Sequence, residues 1–503
     1  MERRQHEHSH AQNRFAVLPT PVRLASDSRY TGKGVTIAFI DSGFYLHPDL
    51  TRPTNRIIAY EDVTQSGASI KASGEPESWD WHGTQTSVVA AGNGHLSDGI
   101  YRGLAPDAQL VLVKVSDRGR ITEENIARGI NWVIENKDRY GIRVVSLSLG
   151  GDEDVPYKDN VVDQAAEEAV RRGLVVVVAA GNSGNSEKHT PVPPANSPSV
   201  ITVGGYDDKN SLGASQFDLY WSSYGPTADG IVKPEIIAPA IWVAAPILPG
   251  TEFYDRAEAL SQIAHAPDYM LSSISHLVDQ PGYLLSSLAS ELWEKAKLPE
   301  SLLRERPDVI RALAEAGLRE SKVVATHYQH VDGTSFAAPI VASVVAQMIE
   351  ANHGLTPAAI KHILISTADR IPGAEVMRQG YGVLNARRAV EEASRESHPD
   401  TACYFCPPRI ESGKLVFNYH HDAAESVTLA GDFNDWDPAH TFFTKLSTGA
   451  WRAEIAPPGP GRYRYKLIVD QSRWIDDPGN AMKEPDNYGG LNSVIHLVSS
   501  ATA

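Results

Sequence analysis

Cysteine is almost absent: Cys403 and Cys406 are the only two in 503 residues. That excludes a disulfide framework beyond one tiny loop. A lone CxxC is a redox pair or half of a zinc site. Zinc would have to recruit His420 and His421, whose adjacency closes a tetrahedron poorly, so no metal is expected there. Long apolar runs are missing too: no window of about 18 apolar residues occurs, and no transmembrane helix is predicted. The opening MERRQHEHSHAQNRF lacks an apolar segment and does not read as a secretory signal, which makes the cytoplasm the expected location. His6, His8 and His10 alternate in that polar stretch and read as a solvated tail. Positive charge is in deficit: 46 Lys and Arg face 62 Asp and Glu, a net charge of −16. Such a surface repels phosphates, so neither nucleic acid nor membrane is expected as a partner.

What is present is an ordinary 42% of hydrophobic residues, enough for packed domains. The length points to more than one core. Residues 1–29 read as a polar extension. From 30 to 398 two patterns alternate. VTIAFI (35–40), AQLVLVKV (108–115), IRVVSLSL (142–149) and GLVVVVAA (173–180) are continuous and β-branched, as in parallel strands buried on both faces. Between them, 85–92, 123–136 and 161–172 have helical spacing, which predicts an α/β domain. A stretch at about 250–324 is rich in Leu, Ala, Ser and Glu and reads as a helical insert. Its apolar stripes are Leu271, Ile274 and Leu277, and Leu284, Leu285 and Leu288. Residues 399–408 read as a linker. From 409 to 503, KLVFNYH, SVTLAGDF, WRAEIA, RYRYKLIVD and SVIHLV are short strands between turns, predicting an antiparallel β-sandwich.

Three polar residues stand at strand or helix ends. FIDSGFYLHPDL puts Asp41 at the carboxyl end of a strand; WHGTQTSVVAAG and DGTSFAAPIVA put His82 and Ser335 at the starts of helices. A serine hydroxyl becomes nucleophilic when a histidine takes its proton and a carboxylate orients that imidazole. Asn182, in VVVVAAGNSG, supplies an amide for the oxyanion beside the backbone N–H of Ser335.

These motifs resemble the subtilisin family over residues 30–395, with its order Asp, His, Ser. GLAPDAQLVLVKV, VVSLSLGG, SSYGP, VKPEIIAPA and GYGVLNARRAV extend the resemblance. It implies a serine endopeptidase with Asp41, His82, Ser335 and Asn182 as catalytic residues and proteins or peptides as substrates. It further implies a substrate strand lying between Asp117–Arg120, with Arg118 and Gly119, and Ser148–Gly151, with Leu149 and Gly150. Side chains at Gly150 and Gly151 are expected to block that strand. No cofactor is required. Calcium is familiar in the family, but GNGHLSDGIYRG lacks the usual loop pattern and offers only Asn93 and Asp98. The segment Asn13–Val22 is expected to lie across the cleft, and the insert to restrict access to it.

Residues 409–498 resemble the glycogen-binding module of the AMP-activated kinase β subunit and of branching and debranching enzymes. The resemblance implies an immunoglobulin-like sandwich with Trp436, Lys466, Trp474 and Asn492, and in addition Tyr488, contacting an α-glucan. The chemistry agrees: flat aromatics cover the C–H face of a sugar, and flanking donors reach its hydroxyls. The function expected is a serine endopeptidase held on glycogen or another α-1,4-glucan. The alternative is a self-restrained or inactive peptidase serving mainly as a carbohydrate-binding scaffold.

Overall fold

The computed structural model describes residues 17–64, 75–212, 217–278, 284–396, 407–411, 413–421, 423–446, 449–480 and 482–497. Cys403 and Cys406 and the side chain of His420 lie outside them.

The first domain is built on strands β1 (Thr36–Asp41), β2 (Ile57–Asp62), β3 (Gln109–Lys114), β4 (Ile142–Leu147), β5 (Val175–Ala179), β6 (Ile201–Asp207) and β7 (Ile236–Pro239). They form one sheet in the order β7-β6-β5-β4-β1-β3-β2, and every neighbouring pair is parallel. Helices α1 (Trp81–Ala91), α2 (Glu123–Tyr140), α3 (Val161–Arg171) and α4 (Thr334–Ala351) cover the two faces. Ile37 and Phe39 of β1 pack with α1 and α4, while Ala38 and Ile40 pack with α2 and α3. Both faces are buried, which is why the strand reads as an unbroken apolar run. Strand order reverses between β1 and β4, so their carboxyl ends frame the crevice where open α/β sheets place their sites.

Helix α4 is long and apolar enough to cross a membrane by composition, contrary to the sequence expectation; it is the buried core helix of this domain. Helix α2 is opened by Thr122, whose hydroxyl accepts from Asn125 N–H, and closed by Gly141 at φ 62.

Residues 250–324 form the expected helical insert: Glu252–His265, Asp268–Val278, Leu284–Ala296 and Pro307–Glu320. It has its own core, with Leu260, Ile263, Leu271, Trp293 and Ile310. The side chains of Ile274, Leu277, Leu284, Leu285 and Leu288 lie outside the described residues. The insert hangs from a small antiparallel sheet of Val243–Pro246, Tyr328–Val331 and Val323–Ala325. Gln85 of α1 donates to the Pro246 carbonyl at 3.0 Å, so the base of the insert abuts the helix that carries His82.

The described part of the N-terminal segment does not cross the cleft. Arg23 makes two hydrogen bonds to Asp208 and two to the carbonyls of Ile241 and Trp242, and Leu18 N–H donates to Asn210. Val17 and Thr20 are buried in this docking. A buried bidentate arginine pair outweighs what a solvated tail would gain.

The second domain is a sandwich. One sheet pairs Arg409–Glu411, Lys414–His420, Ala450–Ile455 and Thr444–Lys445. The other holds β8 (Val427–Gly431), β9 (Thr441–Phe442), β10 (Gly461–Val469), β11 (Arg473–Ile475) and β12 (Leu491–Leu497). Between the sheets lie Phe417, Leu429, Phe443, Trp451, Tyr465 and Leu467. The Tyr381 hydroxyl of the first domain donates to the Gly479 carbonyl of the second.

Candidate active site

Asp41 ends β1, almost wholly buried, and its carboxylate is saturated with donors. Oδ1 accepts from His82 Nδ1 at 2.8 Å and from Ser42 N–H at 2.7 Å; Oδ2 accepts from the Thr86 hydroxyl at 3.1 Å. His82 sits in the first turn of α1, and that turn must approach β1 closely. A Cβ on Gly83 would lie 2.2 Å from the Gly43 carbonyl and 2.9 Å from Asp41 Cβ, which fixes glycine there. Thr86 is four residues beyond His82 on the same helix face; the spacing in HGTQT is the signal that would have found it.

Burial alone would lower the His82 pKa, but the Asp41 charge and hydrogen bond together outweigh it, and the imidazole titrates above the ordinary histidine value. It is therefore available as a neutral base only on the alkaline side of that raised value. Trp81 meets the ring edge-on at 5.1 Å and Phe336 lies 6.1 Å away, limiting its rotation.

Ser335 is the second residue of α4, where backbone N–H groups have no intrahelical acceptor. Its hydroxyl points to the Ser148 carbonyl at 3.4 Å and is not hydrogen-bonded to His82 in this rotamer. Pro339, four residues on, has no N–H to give the Ser335 carbonyl. The Ser148 hydroxyl makes up for this, donating to that carbonyl at 2.8 Å. A proline inside an otherwise apolar helix thus ties the serine to the loop that follows β4.

Asn182 follows β5. Its Oδ1 accepts from both the N–H and the hydroxyl of Thr334, each at 3.0 Å, and the Thr334 hydroxyl also accepts from Gly181 N–H. This orients the amide and leaves Nδ2 with no partner among the described residues, facing the start of α4. Nothing local in the sequence shows that Thr334 holds Asn182, because 152 residues separate them.

Asp117–Arg120 is a tight hairpin between Ser116–Asp117 and Arg120–Ile121, with Arg118 at φ 47 and Gly119 at φ 86. Leu149 packs beneath Ser148–Gly151, against the α2–α3 side of the core. The chain itself also crowds Gly150 and Gly151. A Cβ on Gly150 would meet the Pro193 carbonyl at 2.6 Å, and one on Gly151 the Glu123 carboxylate at 2.0 Å. The backbone contact at Gly150 requires glycine before any substrate arrives, whereas at Gly151 the Glu123 side chain would have to swing aside.

Asn93 Oδ1 is taken by His95 N–H, its Nδ2 donates to the Arg52 carbonyl, and Asp98 is exposed. Gln85 and Ser87 of α1 are buried behind the catalytic turn.

In the sandwich, Lys466 and Trp474 point outward from β10 and β11, since Tyr465, Leu467 and Ile475 point inward. Asn492 shares their face, because its neighbour Ser493 pairs with the inward Tyr465. Trp436, at φ 59 in the turn after β8, donates to Asp432, which also takes Arg464 of that face. Tyr488 is 95% exposed at a turn tip. The residue that sequence reasoning missed is Asp486. It pairs with Lys466 and accepts the N–H groups of Tyr488 and Gly490. Lys466 first, then those amides, hold its pKa down to about 2.

The chain matches the subtilase family over residues 32–382, and carbohydrate-binding module 48 (isoamylase N-terminal domain) over residues 404–481. It is 32% identical over 368 residues to serine protease AprX of Bacillus subtilis, covering 72% of this chain and 67% of that protein. With subtilisin BL of Lederbergia lenta it shares 35% over 210 residues, 41% of this chain and 65% of the other. A crystal structure of a cold adapted subtilisin-like serine proteinase aligns at 21% identity and TM-score 0.42, covering 71% of this chain and 89% of that one. The chain belongs to the subtilase family, as a subtilisin-type serine endopeptidase that carries a carbohydrate-binding module.

Proposed function

We propose that Asp41, His82 and Ser335 hydrolyse peptide bonds through an acyl-enzyme, and that the sandwich holds the enzyme on glycogen or a similar α-1,4-glucan. The observation that carries the first part is the Asp41–His82 hydrogen bond at 2.8 Å, set beside the start of α4 and facing an amide locked by Thr334. A rotation about χ1 takes the Ser335 hydroxyl from the Ser148 carbonyl toward His82 Nε2. The oxygen attacks the scissile carbonyl while its proton passes to His82. The resulting oxyanion is met by Asn182 Nδ2 and Ser335 N–H. When the C–N bond breaks, the same proton leaves on the amine, and water repeats the sequence on the ester. The substrate strand lies between Asp117–Arg120 and Ser148–Gly151.

Asn182→Gly is expected to lower kcat roughly 10²–10³-fold with little change in KM, the loss known for the oxyanion-hole amide of subtilisin itself. A rise in KM with kcat unchanged would mean that the amide serves ground-state binding instead.

The glucan part rests on Trp436, Lys466, Trp474 and Asn492 sharing one face, with Trp474 43% exposed. Full-length protein is expected to pellet with glycogen, and Trp436→Ala with Trp474→Ala to stay in the supernatant. Equal pelleting of both would end the glucan assignment. On glycogen the enzyme would act at raised local concentration on proteins bound to the same particle.

A further inference from the structure

The sandwich carries an exposed aromatic that neither the sequence motifs nor the fold requires. Phe442 on the edge strand β9 is 65% exposed, whereas its neighbour Phe443 fills the core between the sheets. Backbone pairing fixes which way Phe442 points. It pairs with Thr428 of β8; Thr428 pairs with Ile468 of β10; Ile468 pairs with Trp474 of β11. Paired residues on adjacent strands share a face. Val427 and Leu429 point inward with Leu467 and Val469, so all four members of the row point outward. Thr428 and Ile468 in the middle are buried, which leaves the two rings as the exposed ends of the row.

Three interstrand steps separate these ends, about 14 Å at the usual strand spacing. That is farther than one pyranose ring spans. Lys466 stands two residues from Ile468 on the same strand and face, between the row and the Asn492 side. Phe442 is therefore continuous with the proposed glucan face but lies beyond the reach of the sugar held at Trp474.

We infer that Phe442 is a second aromatic platform for the same glucan chain, one that only chains several glucose units long can reach. The inference rests on the glucan reading above. The occupant follows from the chemistry: a flat ring with no charged partner among the described residues, at the end of a face whose other contacts are indoles, an ammonium and an amide. The face would then favour long linear chains or particle surfaces over short oligosaccharides, through added contact area and not through a tighter single site.

The test is calorimetric titration of the full-length chain, carrying Ser335→Ala to stop autolysis, with maltotriose and with maltooctaose. Phe442→Ala is expected to weaken maltooctaose about five- to tenfold while leaving maltotriose within about twofold. Phe442→Tyr, which keeps the flat ring, is expected to restore the octaose affinity. Trp474→Ala is expected to weaken both sugars. If the parent protein binds both sugars and Phe442→Ala binds them as the parent does, the second platform is wrong. An equal loss for triose and octaose would also overturn it. If the parent binds neither sugar, the glucan reading itself fails, and the inference with it.

Discussion

Replacing Ser335 by alanine is expected to lower kcat for peptide hydrolysis by a factor on the order of 10⁶ while leaving the fold intact, as the same change does in subtilisin. Structurally the hydroxyl does little. Its hydrogen bond is a 3.4 Å contact to the Ser148 carbonyl, and the helix that carries it is held by buried Val, Ile and Ala side chains. The tie between this loop and α4 runs through the Ser148 hydroxyl and the Ser335 backbone carbonyl, which the substitution keeps. The chemistry, in contrast, has no second nucleophile beside His82 among the described residues. Ser148 presents its hydroxyl to a carbonyl, and the Thr334 hydroxyl is committed to Asn182. A residual rate above water is expected, because the oxyanion site proposed for Asn182 and the Ser335 N–H is kept. Active-site titration and circular dichroism on the two proteins check both halves. Turnover near the parent level in Ser335→Ala would remove Ser335 from the mechanism.

The strands of the first domain were legible because burial on both faces demands unbroken apolar runs. VTIAFI and VVVVA could not be amphipathic surface helices. Asp41, His82 and Ser335 were legible for the converse reason: each is a polar residue at an element end where packing alone would select an apolar one. What escaped was whatever depends on pairing at long range. Thr334 holding Asn182, and Asp486 holding both Lys466 and the Tyr488 turn, are contacts between segments that no local pattern links. Phe442 and Phe443 are a sharper case. TFFT carries no alternation that says which ring is inside; only the register of Thr428 against Phe442 decides it. At Gly150 and Gly151 the nearness of Pro193 and Glu123 is likewise a tertiary fact that no local pattern shows.

The same limit applies to the motif VKPEIIAPA, whose Lys233 is fully buried. Its ammonium donates to Glu235 Oε1 at 2.7 Å and to the Val200 carbonyl at 3.3 Å. Lys361 reaches the same carboxylate oxygen at 2.7 Å and also the carbonyls of Pro198 and Val200. Thr202 N–H satisfies Glu235 Oε2. Burial pulls the Lys233 pKa below the ordinary lysine value; the attraction of Glu235 opposes this and the Lys361 charge adds to it. One carboxylate thus faces two ammonium groups and offsets one of their two positive charges. Glu235→Ala is expected to destabilise the peptidase domain by about 3–5 kcal/mol, because it leaves both cations uncompensated. Lys233→Met is expected to cost less, since Lys361 still balances Glu235. The triple change Lys233→Met, Glu235→Leu, Lys361→Met is expected to fall well short of the sum of its parts, as buried ion pairs replaced by apolar groups often do. Denaturant midpoints measured in the Ser335→Ala background check all three; a Glu235→Ala effect under about 1 kcal/mol would sink the argument. The consequence for function follows the chain. The carbonyls held by these lysines belong to the segment that begins at Pro193, and the Pro193 carbonyl accepts from Gly151 N–H at 2.8 Å. Loss of Glu235 removes the anchor of both lysines and is expected to loosen that segment and, through it, the Ser148–Gly151 wall on which the substrate strand is proposed to lie. Glu235→Ala is therefore expected to raise KM for extended peptides at temperatures where the domain is still folded, with little effect on short ester substrates that do not reach the wall.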